Sequence, residues 1–286
     1  MTLVLRHASR ILIVLLLGTL LSATLVRFSP GYGVGEEDLD SSLSAETREA
    51  LRSSPEDGQS IFACYLDFYR QLVRGNLGRS VSLQQPVNEL LADRIPVTAR
   101  SMAFGLLLAW MLGLACAAPS LFSRLRAISA FGSCLAALVL STPAAVLALA
   151  CLLARVPGRI AIGLVVFPRI YQFARNILLR AASSPHILTA RAKGARAWRI
   201  ILRHVLPSAA TQLLALVGVS ICLAFGASIP VEALCDIPGV GQLAWQAALS
   251  RDLTLLFDLT MIVTGITMAA NASMDIAAAL LRENRP

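Results

Sequence analysis

The side chains able to do covalent or metal chemistry are few and scattered. Six cysteines (Cys64, Cys116, Cys134, Cys151, Cys222 and Cys235) include no C-x-x-C pair. Most stand inside apolar runs, where cysteine behaves as a small hydrophobe. The three histidines, His7, His186 and His204, are too dispersed to suggest a metal site. The chain holds no G-x-x-x-x-G-K-[ST] phosphate cradle, no H-E-x-x-H and no G-x-S-x-G. No catalytic residue and no metal ligand is therefore nominated. Asp258 and Asp275 fall within an apolar stretch, where acids can serve proton relays. Both lie near the ends of that stretch, and interfacial solvation or helix pairing is the expected role. Arg169 is different, because a charge at mid-depth is costly unless paired or wet. It either faces a water-lined cavity or lies near a membrane surface because its helix is offset.

The elements that must carry these residues are membrane elements. Of 286 residues, 56% are apolar and only 15% charged, against about 45–50% and about 25% in an average soluble domain. That skew excludes a disordered chain and a small disulfide scaffold. The net charge of +8 could suggest nucleic acid, but most of the 25 basic residues flank apolar blocks, and Lys193 is the sole lysine among them. Most of the 17 acids fall between Glu36 and Asp93. Membrane topology explains this layout better than nucleic-acid contact does, so membrane lipid is an expected partner and nucleic acid is not.

A crossing needs about 20 mostly apolar residues. Candidates are Ile11–Val26, Ser101–Ser123, Ala127–Ala154, Val205–Val231 and Leu255–Leu281. The first lacks an A-x-A cleavage signal and reads as a retained anchor. Ala127–Ala154 reads as one long tilted span. The weak candidate starts at Ile160 and meets Pro168, Arg169 and Arg175. Parity keeps it, because Arg6 and Arg10, Arg124 and Arg126, and the cluster Arg175 to Arg203 should all be cytoplasmic. Six spans with both termini inside satisfies all three, giving an all-α polytopic protein. Residues 1–27 are the N-terminal end and first span. Residues 28–98 are an external segment with short helices, over Ala45–Leu51, Ile61–Leu72 and from Pro86 to Pro96. Residues 99–286 form a core of five spans. No internal repeat or low-complexity tract interrupts this plan.

The most informative stretch runs from His186 to Pro207, within a cytoplasmic loop of residues 180–207. Small residues at Ala190, Ala192, Gly194 and Ala195 would let another surface approach the backbone, with Arg191, Lys193 and Arg196 adding charge around the contact. Trp198, Ile201, Leu202 and Val205 form an apolar stripe beyond them, and Pro207 should break the approach to the fifth span.

This stretch resembles the E-A-A-x3-G-x9-I-x-L-P loop of permease subunits in bacterial ABC importers. Leu188-Thr189-Ala190 stands for E-A-A, followed by Gly194, His204, Leu206 and Pro207. Its wording is similar to the oligopeptide/dipeptide/nickel branch, and further motifs agree. Gly75-Asn76-Leu77-Gly78-Arg79-Ser80 is similar to G-D-L-G-x-S. Val231-Glu232 with Pro238-Gly239-Val240-Gly241 is similar to V-E-x-x-x-x-x-P-G-x-G. Arg251-Asp252 matches the R-D before the last span, with Asn271 and Asp275 on that span. The chain departs at Leu188, where the motif has Glu, at Pro185 just before it, and in a short connection between the third and fourth spans. Val34 to Gly58 follow no pattern of the branch.

The resemblance implies a type I ABC importer permease in the bacterial plasma (inner) membrane, with peptides leading as solute and nickel an alternative. It implies a second related permease, separate cytoplasmic ATPases binding ATP-Mg, and a periplasmic or extracellular solute-binding protein. Ala190, Arg191, Lys193, Gly194, Arg196, Leu206 and Pro207 would couple to the ATPase. Gly75, Leu77, Gly78, Ser80, Glu232, Pro238, Gly239, Gly241, Arg251 and Asp252 would belong to the face that meets the binding protein, with Ser82 and Gln242 as points of contact. Two other readings stay open: a stand-alone secondary transporter or channel, and a membrane assembly subunit that has lost transport.

Overall fold

The computed structural model describes residues 77–80, 82–122, 125–185, 187, 189, 196–250 and 252–283, with isolated positions 9, 13, 14 and 18. The first span and the helices expected between residues 45 and 72 lie outside the described residues. So do Gly75, Ala190, Arg191, Lys193, Gly194 and Arg251.

The described residues form a helical bundle. Its helices are α1 (Val87–Ala117), α2 (Arg126–Ser141), α3 (Ala144–Leu153), α4 (Gly158–Ala182), α5 (Leu206–Leu234), α6 (Val240–Leu249) and α7 (Leu253–Glu283). Among the described residues three helical stretches are long and apolar enough to cross a membrane: Val87–Leu121, Trp198–Leu234 and Leu255–Leu281. A fourth arises if α2 and α3 are counted as one broken span.

Three expectations about helix limits are corrected. The short helix expected from Pro86 does not end at Pro96; α1 starts at Val87 and runs unbroken through Pro96 into the stretch expected as the second span. Proline deletes one backbone donor, but Val87, Leu90 and Leu91 are clamped below it against Val240, Leu243, Leu255 and Leu259. The third span is not continuous. α2 and α3 meet at 100° around Thr142 and Pro143, because the residue before proline is forced towards extended backbone, and Thr142 has ψ 127. Pro207 does not break the fifth span. A short helix, Ala197–Ile200, passes through a π-turn, Ile201–Val205, directly into α5, with Pro207 in the first turn of that helix. The wide turn lets the Leu206 amide bond to the Ile201 carbonyl. Ile200 and Val205 are the buried side chains there, whereas Trp198 and Leu202 of the expected apolar stripe are exposed.

The helix with the weakest hydropathy signal is the centre of the bundle. α4 packs most extensively on α1 and also on α2, α3 and α5. Its buried face carries Ile162, Val166, Phe167, Ile170, Tyr171, Ala174 and Leu178, and even Pro168 is buried. The contact with α1 uses small residues spaced four apart: Gly105, Ala109, Gly113 and Ala117 are all buried. A Cβ at Gly105 would meet Ile162, and one at Gly113 would meet Ile170 and the Tyr171 amide. Small residues let two helix backbones close on each other where no hydrophobic effect drives them together. Because the Gly105 and Gly113 contacts advance together along both helices, α1 and α4 run parallel. The bent α2–α3 pair must then return the chain between them.

Candidate functional site

At the end of the bundle where α1, α4 and α7 begin and α5 ends, three segments distant in sequence meet. The first is the turn Leu77–Pro86. Gly78 has φ +74, a left-handed conformation that favours glycine. Its carbonyl accepts from Val87 N at 3.1 Å, which ties the turn to the first residue of α1. Ser80, only 1% exposed, donates from Oγ to Asp252 Oδ2 at 2.6 Å. Ser82 adds its backbone N–H and its hydroxyl to the same oxygen, each at 3.0 Å.

Asp252 is the second segment. Its other oxygen, Oδ1, accepts from Leu255 N at 3.0 Å and so caps the start of α7. Burial alone would raise this carboxyl's pKa. The bonds from Ser80, Ser82 and Leu255 outweigh it and hold the group below its ordinary value.

The third segment is the corner between α5 and α6. Glu232 is fully buried, and its Oε2 accepts from Gly241 N at 2.7 Å and Thr98 Oγ1 at 3.1 Å. Thr98 in turn accepts from Val240 N at 2.7 Å. One α1 hydroxyl therefore links the end of α5 to the start of α6. Glu232 Oε1 has no hydrogen-bond partner among the described residues. Any side chain at Gly239 would run into the Glu232 carboxylate and the Thr98 hydroxyl, and one at Gly241 into the Ser228 carbonyl at 2.8 Å. A second bridge runs from Arg94 Nη1 to Gln242 Oε1 at 3.0 Å, and from Gln242 Nε2 to Asp236 Oδ1 at 2.7 Å.

This network holds backbone segments in place, and its hydroxyls and carboxylates are spent on one another and on backbone N–H groups. Ser80, Glu232, Gly239, Gly241 and Asp252 are buried, Leu77 and Gly78 partly so, and Pro238 is exposed. Gln242, expected as an exposed contact, is only 8% exposed, because it is consumed in the bridge to Arg94 and Asp236. Accessible groups on this face include Ser82, Pro238, Trp245 and Leu249. Sequence reading missed Thr98 and Arg94, which carry no motif signal. It also missed the Gly105–Ala117 stripe, whose fourfold spacing was legible.

At the opposite end, Arg196 and Pro207 are exposed, as is Leu206, and Trp198 lies beside them. Asp258, expected to be solvated or paired, is fully buried and both its oxygens lack partners among the described residues. Solvation at an interface is thereby overturned, because the first turns of α7 are covered by the cluster that includes Leu255 and Leu259. Arg169, in contrast, is exposed near the middle of α4.

The described residues are thus a bundle of long apolar helices, one pair of them sharply bent, with one end tied by buried polar links. Residues 105–284 match the family described as binding-protein-dependent transport system inner membrane component, and the chain belongs to that family. It is 26% identical over 284 residues to the oligopeptide transport system permease protein OppB of Escherichia coli (strain K12), covering 91% of each chain. It is 27% identical over 293 aligned positions to a protein of Brucella suis biovar 1 named as a peptide permease, covering 92% of each. Against the OppB of Haemophilus influenzae the figures are 28% over 245 residues, 78% of this chain and 80% of the relative.

Proposed function

We propose that this chain is one of two permease subunits of a peptide importer in the bacterial plasma membrane. The carrying observation is the outer corner: the Ser80–Asp252 and Thr98–Glu232–Gly241 links gather three separated motifs into one rigid face. In this reading a secreted solute-binding protein settles on that face, touching Ser82 and Trp245 while the buried residues keep the face in shape. Six spans with both termini in the cytoplasm place residues 180–207 on the opposite side. There Ala190 to Arg196, with Leu206 and Pro207, meet separate ATPase subunits that bind ATP-Mg and hydrolyse it. The parallel course of α1 and α4 supports this arrangement, since it puts the outer corner and the start of α4 on one side. Peptide as the solute rests on the names of the relatives.

Photo-crosslinking residues placed at Ser82 and Trp245 test the reading in intact cells. Capture of the solute-binding protein is expected at both. Capture of cytosolic proteins alone would end it.

A further inference from the structure

The outward faces of the two central helices differ in chemistry at one depth. On α1, Phe104, Leu107, Met111 and Leu114 are exposed, as a helix facing lipid requires. Ile170 packs against Gly113, so Arg169 stands level with exposed Met111. Yet α4 exposes Arg169, Gln172, Asn176 and Arg180, with Phe173 among them, at helical spacing along one stripe. From Arg169 to Arg180 that stripe climbs about 16 Å at ~1.5 Å per residue. Among the described residues no hydrogen bond or ion pair satisfies Arg169, Gln172 or Asn176. Unpaired amides and a guanidinium in hydrocarbon are costly. Moreover α4 carries Arg159, Arg169, Arg175 and Arg180 but no Asp or Glu. The stripe is therefore polar, all its charges are positive, and hydrocarbon would be a costly covering for it.

We propose that this stripe lines the inner half of the solute path, and that Arg169 holds the carboxylate of a peptide in transit. The ligand class and the side of the membrane rest on the reading above; the polarity of the stripe does not. A guanidinium accepts a carboxylate in a bidentate, charge-assisted geometry. Gln172 and Asn176 lie one and two turns further along the same face, placed for the amides of an extended chain. Apolar Phe173 beside them provides a surface that tolerates varied side chains.

Two measurements on the complete transporter test this, labelling in inverted vesicles and uptake in right-side-out vesicles supplied with the solute-binding protein. First, single cysteines at Phe173, Asn176 and Met111 are exposed to a membrane-impermeant maleimide. Labelling at 173 and 176 with none at 111 is expected. Protection at all three overturns the wet path and leaves lipid as the covering. Protection at 173 and 176 together with crosslinks to the companion permease overturns it in favour of a subunit contact. Second, uptake of a tripeptide with a free carboxylate is compared with that of its C-terminal amide. The wild type should favour the acid by about tenfold, the order carried by one charge-assisted hydrogen bond. Arg169→Gln should drive that ratio towards one, and Arg169→Lys should restore much of it. A ratio unmoved by Arg169→Gln overturns the carboxylate site. Wild-type vesicles that carry neither peptide overturn the peptide reading and the ligand class with it, while the labelling still decides the path.

Discussion

Asp252 concentrates most of the tertiary information that a single residue holds here. Its two oxygens serve different elements, Oδ1 capping α7 and Oδ2 gathering the Ser80–Ser82 turn. Asp252→Asn keeps a capping oxygen, since asparagine caps as well as aspartate, but it weakens the bonds to the turn. A loss of about 1.5–3 kcal/mol is expected for bonds to a buried charge. The pH dependence has a definite sign. The carboxyl is held below its ordinary value in the folded protein, so its contribution is complete above the unfolded value of about 3.9. It disappears as pH falls through the lower, folded value. Thermal unfolding of the purified chain should show the variant clearly less stable at pH 7, with the gap closing under acid. Equal melting temperatures at pH 7 would show that the turn is held by other contacts.

Helix contacts set the next scale. Gly113 admits α4 because a Cβ there already stands 3.0 Å from Ile170 Cγ2 and 3.2 Å from the Tyr171 amide. Gly226, on α5, has nothing within 4 Å of its ideal Cβ. Overpacking a fitted contact costs about 1–3 kcal/mol. Gly113→Leu should therefore lower the melting temperature of the purified chain, while Gly226→Leu should hardly shift it. The reverse order would mean that the α1–α4 seam is not closely packed. The coupling loop yields a second prediction at this scale. If Gly194 meets a groove on an ATPase, Gly194→Trp overpacks that contact by about 1–3 kcal/mol, or about tenfold and more in docking. Membrane abundance should stay near normal while ATPase co-purification and solute-stimulated hydrolysis are lost. Survival of transport in reconstituted vesicles would reduce the segment to a basic loop.

For the molecule as a whole, the question is which side each end faces. Basic residues at Arg6, Arg124 and Arg196 all favour the cytoplasm under the positive-inside rule. In a background without other cysteines, Asp57→Cys should react with an impermeant reagent from outside and Arg196→Cys should not. Outside labelling at 196 would overturn the six-span topology and the placement of the coupling loop together. The same topology makes the stripe from Arg169 to Arg180 part of the inner half of the protein, so the vesicle labelling at 173 and 176 depends on it as well.

Long apolar runs, the basic cluster and the ordered motifs were legible along the chain, because hydrocarbon imposes its demands residue by residue: length, apolarity and charge at the ends. Those features were enough for an all-helical membrane protein of this permease family. Helix limits at Pro96, Pro143 and Pro207 were not. Proline deletes a donor in every case, and whether the helix bends depends on what clamps the flanking turns. Val87, Leu90 and Leu91 are clamped, whereas the turn at Thr142 and Pro143 is not carried through. Nor could hydropathy rank α4 as the centre of the bundle, since averaging along a window mixes its buried face with its arginines; only the packing against Gly105 and Gly113 separates them. Ser80 and Asp252 stand 172 positions apart, and Thr98 and Glu232 stand 134 apart. Such bonds form only after the helices have brought their ends together, so no local pattern announces them.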